Sequence, residues 1–429
     1  MGILNGSHPI RLAAITAIAV ALLLSFIGAG PSAAYAPGQW NPFADLTSYD
    51  PGSDVGFTRR WQANPPPGYP TLSPANIPAT KKAIKRYQKI VKQGGWKRLP
   101  RKHLATGTSD PAVELLRKRL QMTGELEAGE SWMPQSFDYY VELAVKRFQA
   151  TNGLAPTGIV GRRTRAALNV SAKSRLRQLK NGLARLRRYI NKTKKGRYVV
   201  VNIPAAQIEA VENDRVVSRH AGVVGKISRK TPILRSRIHE LNFNPVWRLP
   251  PTVVSKDLIP KGRRMERAGK DVLVKYGIDA YDGSGRKLNP EKINWRSSMP
   301  HRLSYRQKPG EDNPLGFVKV NFHNGHSVYL HDTPSESLFG RNFRAASSGC
   351  VRVHNIEDLS AWLLSGNRGW DKSQVLNIKE SGETKNVRLK RPVTLYMAYI
   401  TAWATSDGVI QFRRDIYRKD GIGRAAASY

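Results

Sequence analysis

The chain holds a single cysteine, Cys350, in the run Ser347-Ser348-Gly349-Cys350-Val351-Arg352-Val353, with His331-Asp332-Thr333-Pro334 shortly before it. A thiol attacks as the thiolate, and a neighbouring imidazole helps by taking its proton. His331 would take that proton and later return one to the leaving group. Small residues let a substrate carbonyl approach the backbone, where the Gly349 and Cys350 N–H groups are candidates to hold an oxyanion. The bland readings of a lone cysteine are a small buried hydrophobe or an intermolecular disulfide. The histidine and the Ser-Gly turn favour catalysis over both.

His323, His326, His331, His354 and Cys350 also raise the question of a metal. His323 and His326 bracket Asn324-Gly325 and could approach each other. His326 and His331, however, sit five residues apart on one expected strand, roughly 16 Å at about 3.3 Å per residue. They cannot share an ion if that strand is straight, so no metal and no cofactor is expected.

The elements that must carry these residues are readable from periodicity. Alternation along the strand into His331 puts Tyr329 and His331 on one face, with Val328 and Leu330 on the core side. After Cys350, Asn355 reads as a helix N-cap ahead of a buried stripe of Leu359, Trp362 and Leu363. From Gly196 onward the apolar period is two. Tyr198 to Ile203 and Ala221 to Gly225 read as strands, and Phe317 to Phe322 and Ser327 to His331 flank Asn324-Gly325 as a tight hairpin. Thr394 to Trp403 and Val409 to Phe412 suggest a last hairpin around Asp407-Gly408. A charged, turn-rich stretch over 256–312 reads as an inserted subdomain or lid.

Upstream the period is 3.6. Helix is expected from near Thr80, with Ile84, Tyr87, Ile90 and Val91 on one face. A three-helix unit follows over 108–170, entered at Asp110-Pro111 and closed by Gly153 and the Gly158-Ile159-Val160-Gly161 turn. A connecting helix over 171–195 buries Leu176, Leu179, Leu183, Leu186 and Ile190, with Arg175, Arg177, Arg185, Arg187 and Arg188 on its remaining surface. The fold class expected is multidomain α+β, a small helical unit followed by a β-dominated domain over 196–420.

A chain of 429 residues has room for two or three domains, and 40% apolar residues exclude wholesale disorder. A net charge of +38 predicts attraction to a polyanion. The N-terminus narrows the choice. His8 and Arg11 precede an apolar run from Leu12 to Gly30 and then small residues, as in a secretory signal. Ala34-Tyr35-Ala36 fits the cleavage rule, and Ser32-Ala33-Ala34 fits better because Pro37 follows the former. The alternative for 1–36 is an uncleaved anchor with inner-membrane association. Either way the body is exported to the periplasm, which argues against nucleic acid as the polyanion. Residues 37–79, rich in Pro, Gly, Ser and Asn, read as a linker, and 80–107 as a helical scaffold.

Two resemblances follow from motifs. Ala144-Val145-Lys146-Arg147-Phe148-Gln149, Asn152-Gly153-Leu154, Gly158-Ile159-Val160-Gly161 and Thr164-Arg165-Ala166-Ala167-Leu168 resemble the type 1 peptidoglycan-binding domain. Val223-Val224-Gly225-Lys226, Thr231-Pro232, Asn244-Pro245-Val246-Trp247, Pro314-Leu315-Gly316 and the His331 and Cys350 runs resemble the L,D-transpeptidase (YkuD-type) catalytic domain. The Ser-Ser-Gly-Cys form, with its upstream unit and long insertion, is similar to the large periplasmic subgroup of Gram-negative bacteria. The resemblance implies that Cys350 takes a tetrapeptide stem of peptidoglycan, releases D-alanine and passes the stem to an amine. It implies that the Asp332 backbone carbonyl orients His331. Ser348, where many members carry histidine, Arg352 and Tyr329 become substrate contacts by the same analogy. Arg352 reads equally as a structural ion-pair partner and Tyr329 as strand packing. Competing functions are a wall cysteine peptidase with water as acceptor and a non-catalytic wall-binding protein.

Overall fold

The computed structural model describes residues 68–129, 131–190 and 196–422. The expected signal or anchor and most of the expected linker lie outside the described residues. The linker's last stretch is not loose. Thr71 donates from its N–H and hydroxyl to Glu209 at 2.9 and 2.7 Å, and the Asn76 amide donates to the Pro70 and Thr71 carbonyls. These buried polar anchors order the chain ahead of the apolar periodicity, so α1 spans Asn76–Lys92 instead of starting near Thr80.

Helices α2 (Pro111–Thr123), α3 (Tyr139–Thr151) and α4 (Arg162–Leu168) bury Val113, Leu116, Leu120, Val141, Val145, Phe148 and Leu168 together. Asp110 caps α2 through the Ala112 N–H at 2.8 Å, and Asp138 caps α3 through the Val141 N–H at 3.0 Å. Helix α5 (Ala172–Ile190) packs against α1. Its arginines are not simply a solvated face. Arg175 is 1% exposed and donates to Gln178, Asn152 and the Ala167 carbonyl, while Arg185 pairs with Asp420 at 2.6 Å. A guanidinium has five donors, so it can satisfy several fixed acceptors at a buried junction where periodicity sees only charge. Gly182 is required there, because a Cβ would meet the Ala402 carbonyl oxygen at 1.8 Å.

The strands follow as β1 (Arg197–Asn202), β2 (Gln207–Glu212), β3 (Arg215–Gly225), β4 (Leu234–Phe243), β5 (Trp247–Arg248), β6 (Ile278–Tyr281), β7 (Lys287–Leu288) and β8 (Ser304–Gln307). Then come β9 (Val318–Phe322), β10 (Leu330–His331), β11 (Ala345–Ser347), β12 (Val351–Val353), β13 (Lys385–Ala398), β14 (Ala402–Ala404) and β15 (Ile410–Phe412). The main sheet runs β11-β3-β12-β10-β9-β4-β13-β1-β2, and β2 also pairs with β3. Its principal core gathers Val199, Val201, Leu241, Val320, Leu330, Val351 and Leu395 against α8 (Ile356–Leu364) and α9 (Lys372–Ser381).

Strands β5-β8-β6-β7 form a separate small sheet with α6 (Ile259–Glu266) and α7 (Val272–Tyr276), around a core including Leu258, Ile259, Leu273, Trp295 and Tyr305. This inserted unit begins at Trp247, ahead of the compositional shift at Lys256.

Three local expectations change. Asn324-Gly325 is not a two-residue hairpin: Ser327 has φ 53°, and β10 starts only at Leu330. The Asn324 side chain bonds the Phe322 and Val328 carbonyls and the His326 and Val328 N–H groups, replacing ladder bonds over a longer loop. Asn355 precedes α8 in the left-handed conformation, φ 50°, without a side-chain cap bond. The last hairpin is β14–β15 alone, because residues up to Ala398 belong to β13 in the main sheet.

Candidate active site

Leu330 and Val351 are level in the parallel pair β10–β12, and Leu330 is level with Val320 on β9. All three are fully buried, each contributing roughly 1.5–3 kcal/mol. A one-residue slip would expose them, so burial holds the register. That register turns the alternate residues to the opposite face. His331 lies beside Arg352 on one side and Lys319 on the other. Tyr329 and Cys350 stand just ahead of β10 and β12, two residues back from His331 and Arg352, where the Val351 N–H donates to the Tyr329 carbonyl at 3.1 Å.

Gly349, at φ 123°, makes the turn into β12 in a conformation that favours glycine. Its N–H donates to Ser347 Oγ at 3.2 Å, while Ser347 Oγ donates to the Cys350 carbonyl at 2.6 Å. The Gly349 N–H is therefore engaged inside the turn and not turned to the cleft, against expectation. A serine hydroxyl both accepts and donates, so it ties up this short loop from within.

Tyr329 stands beside the thiol and favours its ionised form. The phenol in turn accepts from Trp247 Nε1 at 3.0 Å, which brings the root of the insertion to the site. No hydrogen bond joins His331 to Cys350 in this state. Burial pushes the thiol up, and Tyr329, Lys319 and Arg352 offset only part of this. His331 is not among the groups that lower the thiol. Burial first, then Arg352, brings His331 down to about 3 against the opposing pull of the Asp332 and Pro314 carbonyls. Nδ1 lies 2.5 Å from the Asp332 carbonyl oxygen. A carbonyl can only accept, so Nδ1 carries the proton and Nε2 keeps a free lone pair. Alkylation of Cys350 by iodoacetamide should accordingly be slow at neutral pH and rise along a titration centred above the ordinary thiol value of about 8.5. A thiol that is already ionised below pH 7 would contradict this neutral pair.

The other expected contacts divide. Ser348 Oγ accepts from Arg229 Nη1 at 2.7 Å, and Arg229 makes a bidentate pair with Asp257 of the insertion at 2.6 and 3.0 Å. Ser348 thus joins the turn to the inserted unit. Arg352 Nη1 donates to Thr333 Oγ1 at 3.1 Å, its Nε has no partner, and it makes no ion pair among the described residues. It is not a structural ion-pair partner, and it remains available to an anion. Sequence reading missed Lys319, which stands 4.9 Å over the Tyr329 ring and is lowered by burial. Its place in the alternation Val318-Lys319-Val320, next to His331's strand, was the available signal. His323 stacks on His239 at 4.2 Å, and no group of three His, Cys, Asp or Glu side chains gathers among the described residues.

Residues 196–376 match the family described as L,D-transpeptidase catalytic domain (YkuD), and residues 109–168 match that described as "Putative peptidoglycan binding domain". A "Putative L,D-transpeptidase" of Haemophilus influenzae is 31% identical over 225 residues, 52% of this chain and 44% of that protein. The match thus spans less than half of that relative's length. Among solved structures, an L,D-transpeptidase of Xylanimonas cellulosilytica is 14% identical with a TM-score of 0.21, covering 70% of this chain and 100% of that one. One from Stackebrandtia nassauensis is 15% identical with a TM-score of 0.25, covering 68% and 94%. The chain carries a catalytic domain of the L,D-transpeptidase (YkuD) family, preceded by a peptidoglycan-binding domain.

Proposed function

We propose that this chain is a cysteine L,D-transpeptidase that cross-links peptidoglycan outside the cytoplasm. The observation that carries the reading is geometric: Cys350 just ahead of β12, His331 on the neighbouring β10 with Nδ1 against the Asp332 carbonyl, and the cations Lys319 and Arg352 level with His331. The donor is a tetrapeptide stem. As Cys350 Sγ bonds to the carbonyl before the terminal D-alanine, its proton passes to His331 Nε2, since neither group is ionised beforehand. The negative charge moves onto the carbonyl oxygen, where the Cys350 N–H is the available backbone donor. Collapse breaks the peptide bond, the imidazolium protonates the leaving amine, and D-alanine departs. An amine of a second stem then attacks the thioester, loses its proton to His331, and releases the thiol.

Arg352, with an unpaired Nε, is suited to a stem carboxylate, as is Lys319. Trp247 bonds the Tyr329 phenol, so aromatic surface from the root of the inserted unit flanks the thiol. No helix among the described residues is long and apolar enough to cross a membrane. Export and any inner-membrane association therefore rest on the first 36 residues.

Purified protein incubated with tetrapeptide muropeptides should yield dimers whose mass equals two monomers less one D-alanine. Tripeptide stems alone would replace the transferase by a peptidase, and unchanged muropeptides would leave only a binding protein.

A further inference from the structure

Lys319 sits in the middle of the main sheet and has no counter-ion. It is level with His331 in the antiparallel pair β9–β10, so the two side chains leave the sheet on the same side. Its ammonium stands 4.9 Å from the centre of the Tyr329 ring, and that ring meets the His331 ring edge-on at 5.6 Å. Among the described residues Lys319 makes no ion pair and no hydrogen bond. Glu240, the carboxylate in its neighbourhood, is already engaged. Its Oε1 accepts from Asn242 and Asn321, and its Oε2 lies 3.7 Å from Arg388 Nε. Lys319 and Cys350 are both only part-buried, so an anion from solvent can reach the pair.

The proposed transfer brings one substrate anion close by. His331 Nε2 must reach the leaving nitrogen in order to protonate it. In a four-residue stem that nitrogen belongs to the terminal D-alanine, whose carboxylate carbon is two bonds away, about 1.5 Å each. The carboxylate is therefore held beside His331, within the row formed by Lys319, His331 and Arg352. The two cations of that row point differently. Arg352 is drawn toward Thr333, two residues beyond His331, by its 3.1 Å hydrogen bond. Lys319 leans the other way, over Tyr329, which stands beside the thiol where the carbonyl is attacked. The aromatic face holds the ammonium in place and leaves its N–H donors for an anion.

We infer that Lys319 is a specificity residue: it binds the terminal carboxylate of the donor stem and thereby measures the stem's length. The identity of the peptide rests on the proposed function; the cation without a counter-ion beside the thiol does not. A fifth residue would carry the carboxylate about 3.5 Å further along the stem. Lys319 would then face a neutral amide, and the longer stem would lose its anchor.

The test compares a disaccharide-tetrapeptide with the same compound amidated only at its terminal D-alanine. Calorimetry uses the full chain with Cys350→Ala, so that nothing turns over. The acid should bind about tenfold or more tightly than the amide, because only the acid forms a charge-assisted bond. A disaccharide-pentapeptide should bind as weakly as the amide. Adding Lys319→Met, which keeps an apolar stem over the Tyr329 ring, should bring acid and amide within about twofold of each other. Lys319→Arg, which keeps the charge, should restore a preference for the acid and serves if Lys319→Met misfolds. An acid-to-amide ratio that Lys319→Met leaves unchanged, or a pentapeptide bound as tightly as the tetrapeptide, would overturn the inference. Slower alkylation of Cys350 by neutral iodoacetamide in Lys319→Met, at an unchanged ratio, would place the lysine's effect on the thiol instead. Dimers formed by the native chain together with an unchanged ratio sink the role of Lys319 alone. A ratio that depends on Lys319 in a chain that forms no dimers sinks the transpeptidase reading alone.

Discussion

Cys350→Ala is expected to abolish both dimer formation and the covalent carbapenem adduct, while the folded chain persists. The substitution removes one sulfur from a half-buried turn, a loss comparable to one methylene at roughly 1 kcal/mol. The register around it is held by Leu330, Val351 and Val320, none of which is touched. Cys350→Ser should be nearly as inactive. A hydroxyl is far harder to ionise than a thiol, and burial already disfavours the anion at this position. Intact-mass measurement after carbapenem exposure, with the adduct mapped to a peptide, checks the claim. Dimers formed by Cys350→Ala, or an adduct on another residue, would remove Cys350 from the mechanism.

The second large effect is at His331. His331→Ala should slow acylation by about 10²–10⁴-fold, the usual loss with a general base. Retention on isolated murein should not change. His331→Gln separates chemistry from architecture, because its carboxamide can still donate to the Asp332 carbonyl but cannot shuttle the proton. It should be as slow as His331→Ala. Rates within threefold of wild type in His331→Gln would make the residue a scaffold. A stability signature accompanies the rate. The folded imidazole stays neutral down to about 3, whereas the unfolded one takes a proton near 6.5. Its folded pKa is depressed, so its contribution is intact above about 6.5 and is lost as pH falls toward about 3. Melting temperatures should show wild type losing ground to His331→Gln across that window.

Much of this site was legible before any fold was known. A thiol preceded by glycine and a histidine at the end of an alternating strand nominate a nucleophile and a base, and the alternation puts Tyr329 and His331 on one face. Val113, Leu116 and Leu120 in α2, and Val141, Val145 and Phe148 in α3, announce the helical unit in the same way. Asp110 and Asp138 mark their starts by capping, a local interaction that needs no distant partner.

What periodicity could not supply were contacts between residues far apart in the chain. Trp247 reaches Tyr329 across 82 positions, and Arg229 reaches Ser348 across 119. Thr71 is tied to Glu209 across 138, which orders a stretch whose composition reads as linker. The ionisation states belong to the same class. Residue types nominate Cys350 and His331 as a nucleophile and its base, but burial pushes the thiol up and the imidazole down. The sequence by itself determined which groups are candidates to react and that Tyr329 and His331 share a strand face, because those follow from side-chain chemistry and a period of two. Only the tertiary structure decided the burial around them and the contacts that Trp247 and Asp257 of the inserted unit bring to the site, because desolvation and long-range pairing exist only once the chain has folded.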